Sequence, residues 1–211
     1  MGLLRLLASE PLTFALVAIP LLFSVIIHEV AHGWVAYRMG DPTAKGSGRL
    51  TLNPLNHLDP IGTLMLFLAG FGWARPVPVN FNNLTDRRKG LLFVSSAGVI
   101  ANILLAFFAL LVIRLFSPSS SEITVLSLYK VCAYVARINI TLAALNLIPI
   151  PPLDGSKILM GITWERTPYF LTRLEPYGFF IIIGLLYLGI LNPLIRLFEW
   201  TIVALIRILL P

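Results

Sequence analysis

The chain alternates long apolar runs with short polar stretches rich in proline and glycine. Residues 11–39, 91–116, 123–148 and 177–210 are apolar over spanning lengths, since about 20 helical residues cross a hydrocarbon core of about 30 Å. The first run is punctuated as one helix, with Ser9 as N-cap, Pro11 in the first turn, and Gly40 and Pro42 beyond its end. At 1.5 Å per residue it would measure roughly 43 Å, so it tilts or protrudes, and Pro20 is placed to kink it. Trp34, Tyr37 and Arg38 suit an interfacial belt at its C-terminal end. Residues 58–72 are apolar too, but their roughly 15 positions are short for a span. The last run is interrupted at Asn192-Pro193 and reads as either one long span or a helical hairpin.

Charge orients these runs. The stretch 41–57 carries Lys45 and Arg49, and 73–90 carries Arg75, Arg87, Arg88 and Lys89, whereas SPSSSE at 117–122 has no Lys or Arg. The positive-inside rule assigns both basic stretches to the cytoplasm and SPSSSE to the outside. Segment 58–72 then dips in and returns, which is tolerated where protein or a water-filled cavity covers the backbone. The N-terminus falls outside, and the end of the first helix lies near the cytoplasm. The expected fold is an all-α polytopic membrane protein of about four to five transmembrane helices. A re-entrant or β-like membrane-dipping segment is expected near residues 46–80. Residues 1–211 read as one integral-membrane domain, with a core at about 11–165 and a membrane tail at 176–211.

Composition agrees. The chain is 57% hydrophobic and 12% charged, with a mean hydropathy of +0.87, against about 25% charged residues in soluble domains. The net charge of +6 follows from cytoplasmic Lys and Arg. No basic run is interleaved with stacking aromatics, so nucleic acid is not an expected partner. Cys132 is the only cysteine, which excludes an internal disulfide and a thiolate metal cluster. Arg5 and the apolar residues after it are followed by no small-residue cleavage site before His28, so the first run is expected to be a retained helix and not a signal peptide.

Against this background FSVIIHEVAHGWVAY, residues 23–37, is out of place. HEVAH puts His28 and His32 at i and i+4, one above the other on a helix face. Two imidazoles so placed can grip one zinc ion, with the adjacent Glu29 as general base on its water. The plain alternative is a pair of satisfied histidines in a polar cavity; ionisable groups inside membrane segments favour the functional reading. A catalytic zinc takes three protein ligands and keeps one position open. Asp154 is a candidate third ligand: it follows the third run in NLIPIPPLDG, where Pro149, Pro151 and Pro152 forbid a regular helix. An Asp capping a helix that begins near Gly155 is the competing role.

Taken together, these motifs resemble the site-2 protease family of intramembrane zinc metalloproteases. HEVAH at 28–32 matches the family's HExxH, and NLIPIPPLDG at 146–155 matches its second motif, with Asp154 at the position of the third zinc ligand. SSAGVIANILLA at 95–106 is similar to the AGPxxN element, with Asn102 in place and Val99 where the family usually has Pro. NPLNHLDPIGT at 53–63 and FGWARPVPVNFNN at 71–83 resemble the compact prokaryotic branch without PDZ or CBS domains. The likeness runs from about residue 15 to 165.

The resemblance implies hydrolysis of a peptide bond in or beside the transmembrane segment of a membrane-protein substrate. His28, His32 and Asp154 would hold one Zn2+, and Glu29 would carry the proton from the attacking water to the leaving amine. Asn146 is a candidate substrate or oxyanion donor, or equally a helix-terminus cap. Asn102 reads as a packing and hydrogen-bond residue. A helical substrate must unwind, and segment 46–57 with the prolines at 149–152 could pair with it by strand addition. His57 reads as a turn residue in HLDP, with a second metal shared with Asp59 as the alternative. Two other functions compete: a catalytically inactive client-binding relative, and a metal or ion transporter. The transporter reading expects an acidic relay along the spans, and runs 91–116 and 123–148 offer none.

Overall fold

The computed structural model describes residues 7–69, 72–116, 123–164 and 169–211. SPSSSE, on which the topology argument leans, lies outside the described residues.

The long apolar runs are helices. α1 spans Pro11–Arg38, α4 spans Arg87–Leu115 and α5 spans Ile123–Asn146. Between α1 and α4 come two short helices, α2 at Thr43–Gly46 and α3 at Pro60–Ala69. After α5 follow α6 at Asp154–Thr163, α7 at Tyr169–Leu174, α8 at Gly178–Tyr187 and α9 at Asn192–Leu209. Three helices are long and apolar enough to cross a membrane, and α8 with α9 adds a fourth if that pair, bent by 90°, is one span. This is an all-α polytopic membrane protein.

The start of α1 differs from expectation. Its N-cap is Glu10, not Ser9, and no side chain caps it. The end is as the punctuation implies: Gly40 adopts φ +106° and the Asp41 amide reaches back to the Ala36 carbonyl at 2.9 Å, a glycine-terminated stop. The tail also breaks elsewhere. Asn192 and Pro193 lie in the first turn of α9, where proline costs nothing; the break is residues 188–191, turned by Gly189 at φ +71°.

α3 has ten residues, about 15 Å of helix, and cannot span a bilayer. The ends of its excursion meet in an antiparallel bridge between Leu58 and Ala74, and the Arg75 amide donates to the His57 carbonyl at 2.8 Å. The chain therefore leaves and returns at one place. Asp59 caps α3 through the Gly62 amide at 2.7 Å.

α4 is the centre of the bundle and packs on α1, α5 and α6, with α9 against α5. The contacts use small side chains: Ala36, Ala97, Ala106, Ala109, Ala136, Ala143 and Ala144 are all buried. Lipid tails are as apolar as leucine, so membrane helices gain by close van der Waals approach, which small residues permit. Val99 is buried against Ala143, Ala144 and Ile202, filling the core where the resemblance would put a proline.

Candidate metal centre

α1 presents His28 and His32 to α4, where the residues facing them are spaced i, i+4, i+8: Val94, Gly98 and Asn102. Each does a separate job. The Asn102 carboxamide oxygen lies 3.0 Å from His28 Nδ1. The Val94 carbonyl lies 2.6 Å from His32 Nδ1. Both partners accept, so both imidazoles carry their proton on Nδ1 and turn an unprotonated Nε2 inward. Gly98 supplies the room: a Cβ there would sit 2.5 Å from His28 Cε1 and from His32 Nε2.

Asp154 comes from the other side. The prolines keep residues 147–153 in turns, and Asp154 is the first residue of α6, after Leu153 as N-cap. Its carboxylate does not cap the helix; Oδ2 lies 3.1 Å from both His28 Nε2 and His32 Nε2, which are themselves 3.0 Å apart. Gly155 lets α6 start this close, since a Cβ would meet the Leu147 carbonyl oxygen at 2.3 Å.

Three lone-pair atoms thus converge in a buried place, with relative exposures of 7, 9 and 8% for His28, His32 and Asp154. With neutral imidazoles, whose single protons go to Asn102 and Val94, nothing is left to donate to Asp154 Oδ2. A cation bound by the three atoms resolves the clash. Tetrahedral zinc, with bonds of roughly 2.0 to 2.1 Å, separates its ligand atoms by about 3.3 Å, close to the spacing found. The donor set of two imidazoles and a carboxylate fits zinc, and among the described residues these three form the one such group.

Glu29 is half-buried beside them on α1, and its Oε2 accepts a 2.8 Å hydrogen bond from the Val77 amide. Asn146, the last residue of α5, donates its Nδ2 to the Leu142 carbonyl at 3.0 Å and makes no hydrogen bond to the three converging side chains. His57 is fully buried, its ring Nε2 2.8 Å from the Thr51 carbonyl. With Asp59 committed to capping α3, the pair serves the turn and not a second metal.

The nearby loop has its own electrostatics. Burial alone would raise the Asp41 carboxyl, but hydrogen bonds from Thr43, Asn83 and Asn80 outweigh it and hold the group below the usual carboxylate range. Burial and the Arg75 charge lower the Arg49 guanidinium's hold on its proton, and Glu29 opposes them.

The roles of Gly98, Val94 and the Val77 amide do not emerge from the motif reading. The first two had a signal, since they share the helical stripe of Asn102. A backbone amide 48 residues from Glu29 had none.

Comparison with known proteins places the chain in a family. The family model for Peptidase family M50 matches residues 112–188, a stretch that holds Asp154 but not HEVAH. A Bacillus subtilis protein named "Putative zinc metalloprotease YwhC" is 40% identical over 170 residues, covering 79% of this chain and 78% of its own. The chain belongs to peptidase family M50, the site-2 protease family. Other relatives include "Putative zinc metalloprotease Rip2" of Mycolicibacterium smegmatis, 32% identical over 85% of this chain and 69% of its own. "Putative zinc metalloprotease MJ0611" of Methanocaldococcus jannaschii is 30% identical over 64% of this chain and 63% of its own. No solved structure matches the chain. As a member of M50 the protein is a zinc metalloprotease.

Proposed function

We propose that this M50 protein is an intramembrane endopeptidase that cleaves a membrane-protein substrate in or near its transmembrane segment, as in regulated intramembrane proteolysis. The observation that carries the reading is the convergence of His28 Nε2, His32 Nε2 and Asp154 Oδ2 within 4.8 Å of one another, with both histidines on a helix of spanning length. These residues would hold one zinc ion per chain, which when bound acidifies a water and polarises the scissile carbonyl. Glu29 has one oxygen taken by Val77, and the other takes the water's proton and returns it to the leaving amine. Asn146 spends one amide hydrogen on Leu142 and offers the second to the substrate backbone.

The substrate enters unwound. The backbone groups of Leu50 and Leu52 make no hydrogen bond among the described residues, and Leu52 is 54% exposed. An extended peptide pairs with this edge by strand addition. The basic stretches put the N-terminus outside and the site nearer the cytoplasm. His32 and His28 precede Gly40 by 8 and 12 residues, about 12 and 18 Å along the helix. The partners are the bilayer and a transmembrane protein or peptide, not nucleic acid.

The test measures zinc per purified chain, and cleavage of a transmembrane substrate, for wild type, His32→Ala, Asp154→Ala and Glu29→Gln. One zinc in wild type, retained without cleavage in Glu29→Gln and lost or weakened in the other two, is the expected result. A wild type that holds no zinc after reconstitution overturns the proposal.

A further inference from the structure

Glu29 faces a built wall. In Pro76-Val77-Pro78 the Val77 amide is the one N–H available, because proline has none, and it is spent on Glu29 Oε2 at 2.8 Å. One side chain reaches both carbonyls just ahead of this amide. Arg49 Nη2 donates to the carbonyls of Arg75 and Pro76, the two residues just before Val77. Arg49 is 7% exposed, and its Nε has no partner. A guanidinium buried there is compensated by those two carbonyls and by the nearby Glu29 charge.

The rest of the strap is equally committed. The Arg75 amide donates to the His57 carbonyl, and the His57 ring closes on Thr51, two residues after Arg49. The Val77 side chain fills a notch at Gly33, where a Cβ would lie 2.7 Å from Val77 Cγ1 and 2.8 Å from Leu50 Cδ2. Gly33 is four residues after Glu29, on the same face of α1.

We infer that Arg49 is a positioning residue for the general base of this protease: it fixes the 75–77 backbone so that the Val77 amide aims the Glu29 carboxylate. The inference rests on the reading of Glu29 as general base. A glutamate side chain has three rotatable bonds, and each orientation that misses the water is unproductive. Pinning Oε2 removes that freedom before the reaction starts and leaves Oε1 to accept the proton. Arginine suits the task because its Nη2 alone carries two N–H donors, one for each carbonyl, on a group that stays charged.

Hydrogen–deuterium exchange isolates the contact, since Val77 carries the one exchangeable amide among residues 76–78. The experiment uses the full chain, zinc-loaded, as wild type, Arg49→Ala, Arg49→Lys, Glu29→Ala, Glu29→Gln, and Glu29→Asp with and without Arg49→Ala. Val77 should exchange slowly in wild type and at least about tenfold faster in Glu29→Ala and Arg49→Ala, with Arg49→Lys between. Arg49→Ala should lower kcat by about 10- to 100-fold with KM within about twofold, and keep its zinc. Its cost should shrink in a Glu29→Asp background, whose shorter side chain cannot reach the amide. Unchanged Val77 exchange and kcat in Arg49→Ala overturn the inference. So does loss of zinc that Arg49→Lys fails to restore, which would make Arg49 a folding residue. A Glu29→Gln enzyme with wild-type kcat instead overturns the general-base reading itself.

Discussion

Two regions meet on the inner face of α1, and different forces hold them. The candidate metal centre is assembled by helices pressed together at small residues: Gly98 makes room for the histidines, Gly155 for the start of α6, and buried alanines line the contacts of α4. The connection from Asp41 to Asn80 has few buried apolar side chains and is tied by polar ones reaching for backbone. Asp41 binds Thr43, Asn80 and Asn83, Arg49 binds two carbonyls, and His57 binds a third. Irregular backbone beside a bilayer has to be satisfied from within, whereas membrane helices satisfy their own backbone and need only fit. One region is therefore sensitive to volume, the other to loss of a donor or acceptor.

The largest effect should come where the two regions touch. Glu29→Gln should cut turnover by about 10² to 10⁴-fold while zinc per chain, measured by elemental analysis, stays at the wild-type value. Next come residues that aim the proposed ligands without being among them. Asn102→Ala frees the His28 Nδ1 proton and should weaken zinc binding by about 10- to 100-fold in a chelator competition, and equal affinity would show that helix packing alone orients the ring. Gly98→Ala tests volume directly. Forcing a methyl against both imidazoles should cost about 1 to 3 kcal/mol, read as a lower melting temperature, weaker zinc retention, or both. An unchanged protein would mean that α1 and α4 can part freely.

Smaller effects belong to the polar side. Asn146→Ala removes a donor that the proposed reaction uses only with substrate bound, and should raise KM several-fold, equivalent to about 1 kcal/mol, at constant zinc. Asp41 supplies a pH test. Its folded carboxyl titrates below the unfolded one, so its stabilisation is present above the unfolded value of about 3.9 and is lost as pH falls through the folded value. Melting curves of detergent-solubilised wild type should fall across that acid window, and Asp41→Ala should be less stable at neutral pH with a shallower acid decline. Parallel curves would remove Asp41 from the list of ties.

Much of the architecture was legible because bilayer thickness and helix rise leave few ways to arrange apolar runs. Runs 91–116 and 123–148 became α4 and α5 within a few residues, and 58–72 proved too short to span. The misplaced details were local and cheap. Ser9 gave way to Glu10 at an uncapped helix start, and Pro193 opened α9 where it was expected to break the tail. The sequence marks Asn102 as a hydrogen-bond residue, but its partner, His28, lies 74 residues away. No periodicity announces a contact of that kind.

From the order of residues alone it follows that this is a membrane protein and that one helix of spanning length carries two histidines and a glutamate on neighbouring positions. The first follows from the length of the apolar runs against bilayer thickness, the second from spacing along a single helix, which covalent geometry fixes. It takes the folded bundle to show that Asp154 meets both histidines instead of capping α6, that each imidazole Nδ1 faces an acceptor, and that a valine amide between two prolines faces the glutamate. Those facts depend on how closely separate elements approach one another, and that distance is set by side-chain volume and backbone satisfaction across the whole bundle.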